Sequence, residues 1–221
     1  MKLFINSADA EEIREAYSLG IVDGVTTNPS NTAKMGRNYK ENLIKICEIV
    51  DGPVCAQVRS TAAEDMVKEA KIIDSLHKNT LVKIPMNVEG IKAIRILTGE
   101  GIKVNTTVVF SVAQAILACR AGTNYISLFT GPYASRHDIP INLTQQVKQI
   151  VQNYNFNTLI IDCVRSPQQT VEAALAGADI CTMDYVYLKL LFESPMTDFY
   201  MKHFHDAWEK AYQDKTWLSD L

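Results

Sequence analysis

"NTLVKIPMN", residues 79–87, sets one lysine, Lys83, in the middle of a short apolar run. Leu81, Val82, Ile84 and Pro85 around it read as a buried β-strand, a costly place for an ammonium group. Seven further runs of the same kind lie on either side of it: "KLFIN" (2–6), "DGVTT" (23–27), "PVCAQVR" (53–59), "KVNTTV" (103–108), "YISLF" (125–129), "TLIIDCV" (158–164) and "DICTM" (179–183). Helix-period segments separate most of them. "ADAEEIREAYSLG" has an acidic first turn and a glycine stop, and "AAEDMVKEAKIIDSL", "VEGIKAIRILTGEG", "SVAQAILACRAG" and "PQQTVEAALAG" follow along the chain. This alternation, without a linker or a break in composition, predicts one α/β domain over residues 1–221 with a parallel sheet covered by helices. Eight β units are the number that closes a (β/α)8 TIM barrel. A doubly wound open sheet is the alternative, and no G-x-G-x-x-G or G-x-x-x-x-G-K-[ST] motif supports it. A further amphipathic segment, about 196–213, carries Met201, Phe204, Trp208 and Tyr212 on one stripe. It exceeds what a barrel needs and either caps the barrel or packs on a neighbouring subunit.

Composition narrows the function classes. The 221 residues are 47% hydrophobic and 21% charged, with a net charge of -3, and no basic face favours nucleic acid or an acidic membrane. Five scattered cysteines without C-x-x-C spacing read as reduced thiols, and the amino-terminal residues lack the apolar core of a signal peptide, so a cytoplasmic location is expected. No segment approaches the roughly 18 apolar residues that span a bilayer. The four histidines lack ligand spacing, and no metal site is expected.

In a barrel, inward side chains near the carboxyl ends of the strands form the active site. Lys83 lies two residues before the end of its strand. An exposed lysine at a strand edge is the plain alternative. A desolvated one loses its proton more readily, attacks a carbonyl and forms a Schiff base whose iminium is an electron sink. Other strand ends add small polar groups: Thr26, Thr27 and Asn28; Gln57 and Arg59; Asn105 and Thr107; Ser127 beside Phe129. Hydroxyls and amides at this density suit a polyhydroxylated, sugar-like ligand.

"GIVDGVTTNPS" (20–30), "VKIPM" (82–86), "EGIKVNTTVVFS" (100–111), "AQAILA" (113–118), "VEAALAGADI" (171–180) and "PMTD" (195–198) resemble the small transaldolases and fructose-6-phosphate aldolases over essentially the whole chain, in order. The resemblance implies a (β/α)8 barrel with Lys83 as the Schiff-base lysine and no cofactor. It implies that Asn28, Asn105 and Thr107 hold the hydroxyls of a dihydroxyacetone unit, with Thr107 positioning a catalytic water and Ser127 assisting. Ketose and aldehyde substrates in carbohydrate metabolism of the pentose phosphate kind are implied too, as is a decamer of two pentameric rings joined through the C-terminal helix. Phe129 leans toward the transaldolase branch, because the aldolase branch carries a tyrosine there and a phenyl ring cannot donate a proton.

The chain also departs from that pattern. Asn6 stands where the family has an aspartate, and the strand-three acid of transaldolases is Gln57. "FTGPY" has Pro132 where an arginine would grip a phosphate; "DCVR" supplies Asp162, Cys163 and Arg165; "TMD" ends on Asp184. These changes point to an unusual substrate tail: an anion read by Arg59, Arg136 and Arg165, such as the sulfonate of sulfofructose, or a neutral sugar. Asp162 is the leading candidate to take over proton transfer from position 6; a structural ion pair with Arg165 or Arg59 is its alternative role. Tyr133 is a possible substitute donor. The competing functions are a transaldolase, an aldolase that releases free dihydroxyacetone, and a non-catalytic sugar-binding protein.

Overall fold

The computed structural model describes residues 1–36, 38–131 and 142–212. Its strands are β1 (Lys2–Asn6), β2 (Gly24–Thr26), β3 (Val54–Gln57), β4 (Thr80–Pro85), β5 (Val104–Val109), β6 (Tyr125–Leu128), β7 (Leu159–Cys163) and β8 (Ile180–Met183). They form a closed parallel barrel in sequence order, and β1 pairs with β8 to seal it. The open-sheet alternative is thereby set aside. The described helices are α1 (Ala10–Ser18), α2 (Pro29–Met35), α3 (Tyr39–Ile49), α4 (Ala63–Asp74), α5 (Val88–Gly99), α6 (Val112–Ala121), α7 (Leu143–Asn153), α8 (Pro167–Leu175), α9 (Tyr185–Leu190) and α10 (Pro195–Tyr212).

The local sequence explains where helices start and stop. Asp9, Asn87, Ser111 and Ser166 each accept a hydrogen bond from a backbone N–H of the first turn that follows. Gly122 ends α6 at φ 93°, a left-handed conformation that costs glycine little. The helices α2, α3, α7 and α9 were not among the segments singled out from sequence. In α3 the buried Leu43, Ile46 and Cys47 recur at helical spacing behind an Asn38 cap, so the signal is present there.

Strand alternation separates two interiors. Outward residues Ile5, Val25, Val54, Ala56, Val82, Ile84 and Val104 join helix residues such as Ile13, Leu43, Met66, Ile94 and Leu97 in the main core between barrel and helices. Val109, Ile126, Leu128 and Ile160 form a second cluster with Ala115, Ala118, Val147 and Val151. Inside the barrel, Phe4, Ile161 and Ile180 pack together with Tyr125 against them. Gly24 makes room for that layer, since a Cβ there would lie 2.6 Å from the Phe4 ring. Gly90 does the same for α5, whose backbone passes so close to β4 that a Cβ would meet the Pro85 carbonyl at 2.1 Å. The helix α10 extends beyond the barrel with none of its residues buried.

Candidate active site

With Val82 and Ile84 committed to the helix layer, alternation turns Lys83 into the barrel. It is 4% exposed, and its Nζ donates to the Thr27 carbonyl at 3.2 Å. None of the ion pairs among the described residues includes it. Burial pushes its pKa below the ordinary lysine range, a shift that the nearby Cys163 and Cys55 thiols only partly oppose. The reading as an exposed edge lysine is therefore overturned.

Lys83 opens on a cavity of about 90 Å³ at the carboxyl ends of the strands. Asn6, Thr26, Asn28, Ser127, Phe129, Cys163 and Arg165, all singled out from sequence, line the same cavity. The Thr26 and Thr182 hydroxyls pair at 2.7 Å across it. Phe129 is held by a tilted contact with Phe110, ring centroids 5.5 Å apart. Burial pushes the Cys163 thiol up to about 12, so it stays protonated near neutrality.

Asn105 and Thr107 lie beside this cavity on β5, both fully buried. The Asn105 side chain is occupied: Ser127 Oγ donates to its Oδ1 at 3.0 Å and its Nδ2 donates to Cys55 Sγ at 3.5 Å. Thr107 Oγ1 has no hydrogen-bond partner among the described residues, although buried polar groups nearly always find one. The next residue, Val108, has φ 62°, rare for a β-branched side chain, where the β5–β6 register shifts. Backbone strain thus sits directly beside an unpaired hydroxyl.

Three expectations need correction or relocation. Asp162 does not reach the cavity. Being one residue from Cys163, it faces the helices, where the Thr130 hydroxyl and the Thr144 hydroxyl of α7, the latter at 2.5 Å, donate to its two oxygens. Burial raises its pKa, the two hydroxyls oppose the rise, and no ion pair with Arg59 or Arg165 is formed. Gln57 and Arg59 do share an opening, but a separate one of about 450 Å³ toward α2 and α3, lined also by Tyr39 and Glu69. Asn28 is the wall common to both cavities. Pro132, Tyr133 and Arg136 lie outside the described residues.

The carboxylate that does line the Lys83 cavity is Asp184, which the sequence marks as a departure from the family pattern without giving it a catalytic role. Its Oδ1 accepts a 2.5 Å hydrogen bond from Asn6 Nδ2. Asn6 Oδ1 in turn accepts from Thr26 Oγ1 at 3.3 Å and Asn28 Nδ2 at 3.4 Å. The available signal was alternation, which puts Thr182 and Asp184 on one face, together with closure, which brings β8 beside β1.

The sequence profile of the Transaldolase/Fructose-6-phosphate aldolase family matches residues 3–220. The chain belongs to that family. It is 47% identical over 213 residues to a "Probable transaldolase" of Caldicellulosiruptor saccharolyticus, covering 96% of this chain and 98% of the relative. A "Probable transaldolase" of Dictyoglomus turgidum is 46% identical over 212 residues, covering 96% and 99%. A solved structure described as "Native KDPGal structure" superposes with a TM-score of 0.56 at 13% identity, covering 82% of each chain, a likeness of fold alone. As a member of the transaldolase/fructose-6-phosphate aldolase family the protein is an enzyme of aldolase type, and its cavity is the place to seek that chemistry.

Proposed function

We propose that the protein is a transaldolase that carries a dihydroxyacetone unit from a ketose to an aldehyde on Lys83. The supporting observation is the buried amine, in no ion pair among the described residues, that lines a cavity with hydroxyl and amide groups and has its pKa lowered by burial. In this reading the neutral amine adds to the ketone and loses water to give an iminium. The carbon–carbon bond beta to nitrogen then breaks, its electron pair neutralises the iminium as an enamine, and the first aldehyde leaves. The enamine attacks the acceptor aldehyde, and water releases the new ketose. Asn28, Asn105, Ser127 and the unpaired Thr107 hydroxyl serve the hydroxyls of the bound unit, and Thr107 also positions the hydrolytic water. Phe129 lines the cavity without offering a proton, which favours holding the unit for an acceptor over releasing it as free dihydroxyacetone, the aldolase alternative.

Arg165, the guanidinium at this cavity, reads the substrate tail, whether a phosphate or a sulfonate such as that of sulfofructose. The exposed Phe199, Met201, Phe204 and Tyr212 of α10 suit packing against another copy of the chain in a ring assembly. No helix among the described residues is long and apolar enough to cross a membrane, and we place the enzyme in the cytoplasm, acting on sugar phosphates of the pentose phosphate kind.

Borohydride trapping tests the reading. The protein is incubated with fructose 6-phosphate, sulfofructose or dihydroxyacetone, reduced and weighed. A mass increment in the wild type that disappears in Lys83→Ala is expected. No increment with any ketose favours a non-catalytic sugar-binding protein, and turnover that needs no acceptor favours the aldolase.

A further inference from the structure

We propose that Asp184 is the catalytic acid–base of this cavity and that Asn6 is the residue that positions it. The proposal rests on the reading of Lys83 as the imine-forming amine. Cleavage of the substrate carbon–carbon bond leaves one product as an aldehyde, so the proton of the hydroxyl on that carbon must go to a base. Among the described lining residues the choice is narrow. Thr26, Asn28, Ser127, Thr182 and Asn6 do not cycle protons near neutrality, and the Arg165 guanidinium is a donor without an acceptor atom. Cys163 keeps its proton, being held at about 12 by burial. Asp184 is the remaining group.

Its surroundings support the assignment. Asp184 occupies the N-cap position of α9, where an aspartate ordinarily accepts from the helix backbone, yet its side chain makes no capping bond. Neither is it part of any ion pair among the described residues. Its one described partner is the Asn6 amide, which donates to Oδ1 and is itself oriented by Thr26 and Asn28. No described residue donates to Oδ2, which is left for the substrate. In the forward step Oδ2 takes the hydroxyl proton, the O–H electron pair becomes the new C=O π bond, and the C–C pair moves into the iminium to give the enamine. When the enamine adds to the acceptor aldehyde, the same carboxyl returns the proton to the new alkoxide, and the carboxylate is regenerated.

The test compares wild type, Asp184→Asn and the swapped pair Asn6→Asp/Asp184→Asn, with thermal melts to verify folding. Asp184→Asn is expected to keep the borohydride-trapped increment with dihydroxyacetone while kcat for transfer falls about 100-fold, the usual scale for one proton-transfer group. Its kcat/KM profile should lose the acid limb. The swapped pair, with the carboxylate moved across a 2.5 Å contact, should recover about tenfold of the loss and restore that limb. Asp184→Asn turning over within about threefold of wild type with an unaltered pH profile overturns the proposal, since the usual effect is far larger. An increment lost in Asp184→Asn but kept in wild type moves Asp184 to imine formation and also overturns it. A wild type that forms no increment removes the Lys83 reading itself, and this assignment with it.

Discussion

The carboxyl ends of β7 and β8 each carry an aspartate, and the two stand in opposite surroundings. Asp162 is 2% exposed behind the barrel wall and accepts hydroxyls from Thr130 and Thr144, tying β7 to the segment after β6 and to the first turn of α7. Asp184, one strand further on, lines the cavity and accepts an amide from Asn6. The residue type is the same and the strands are neighbours; the positions differ in depth, since Asp162 is level with Cys181 rather than with Asp184, and in parity. Parity decides whether a polar residue joins the two layers of the fold or meets a ligand.

That contrast predicts that substitutions facing inward change activity more than stability, and substitutions facing outward the reverse. The largest effect is expected for Lys83→Met. Transfer should fall to background while the protein melts at a higher temperature near neutral pH. Burial holds the folded-state pKa below the ordinary 10.5, so the unfolded chain binds the proton more tightly. Stability of the wild type therefore rises with pH between the lowered value and 10.5, and below that window the full penalty of the buried ammonium applies. The advantage of the methionine variant should shrink as melts are recorded toward pH 10.5; a constant difference removes the titration account.

Next in size is Asp162→Ala, which leaves the Thr130 and Thr144 hydroxyls buried without their acceptor. A loss of about 3 kcal/mol in denaturant unfolding is expected, with kcat per folded molecule within a factor of about two. A collapse of kcat at unchanged stability returns Asp162 to the chemistry and breaks the parity argument.

Thr107→Val removes a buried hydroxyl that lacks a described partner, so stability should hold or improve slightly while kcat falls by about tenfold. The smallest effect is expected for Val108→Gly. Relief of the left-handed φ should offset the entropy glycine adds to the unfolded chain, leaving stability within about 1 kcal/mol. A larger loss would show that the valine side chain, not the backbone, is what the bulge requires.

Much of this arrangement is legible in the chain. The eight strand segments were readable because each is a short apolar run bounded by turn residues, and their alternation with helices implied the barrel. Lys83 was legible for the same reason: valine and isoleucine on either side leave it only the inward face. Asp162 and Cys163 are neighbours on one strand and cannot both face in, so alternation is the signal that separates the wall-facing acid from the cavity-facing thiol. The Asn6–Asp184 contact was harder. It needs the register Ile5 to Met183 between the first and last strands, which depends on the shear of the closed barrel and is not written in either segment. The second opening at Gln57 and Arg59 was out of reach for a similar reason, because α2 and α3, which wall it, were not assigned.

The seam between β1 and β8 carries a consequence for synthesis. A ribosome delivers Asn6 178 residues before Asp184, so the amide waits through the synthesis of nearly the whole barrel for its partner. Lys83 emerges long before, in a half-built sheet that cannot yet shield it from water. Onset of catalysis would thus mark the moment the ring shuts, giving a direct readout of when this chain finishes folding.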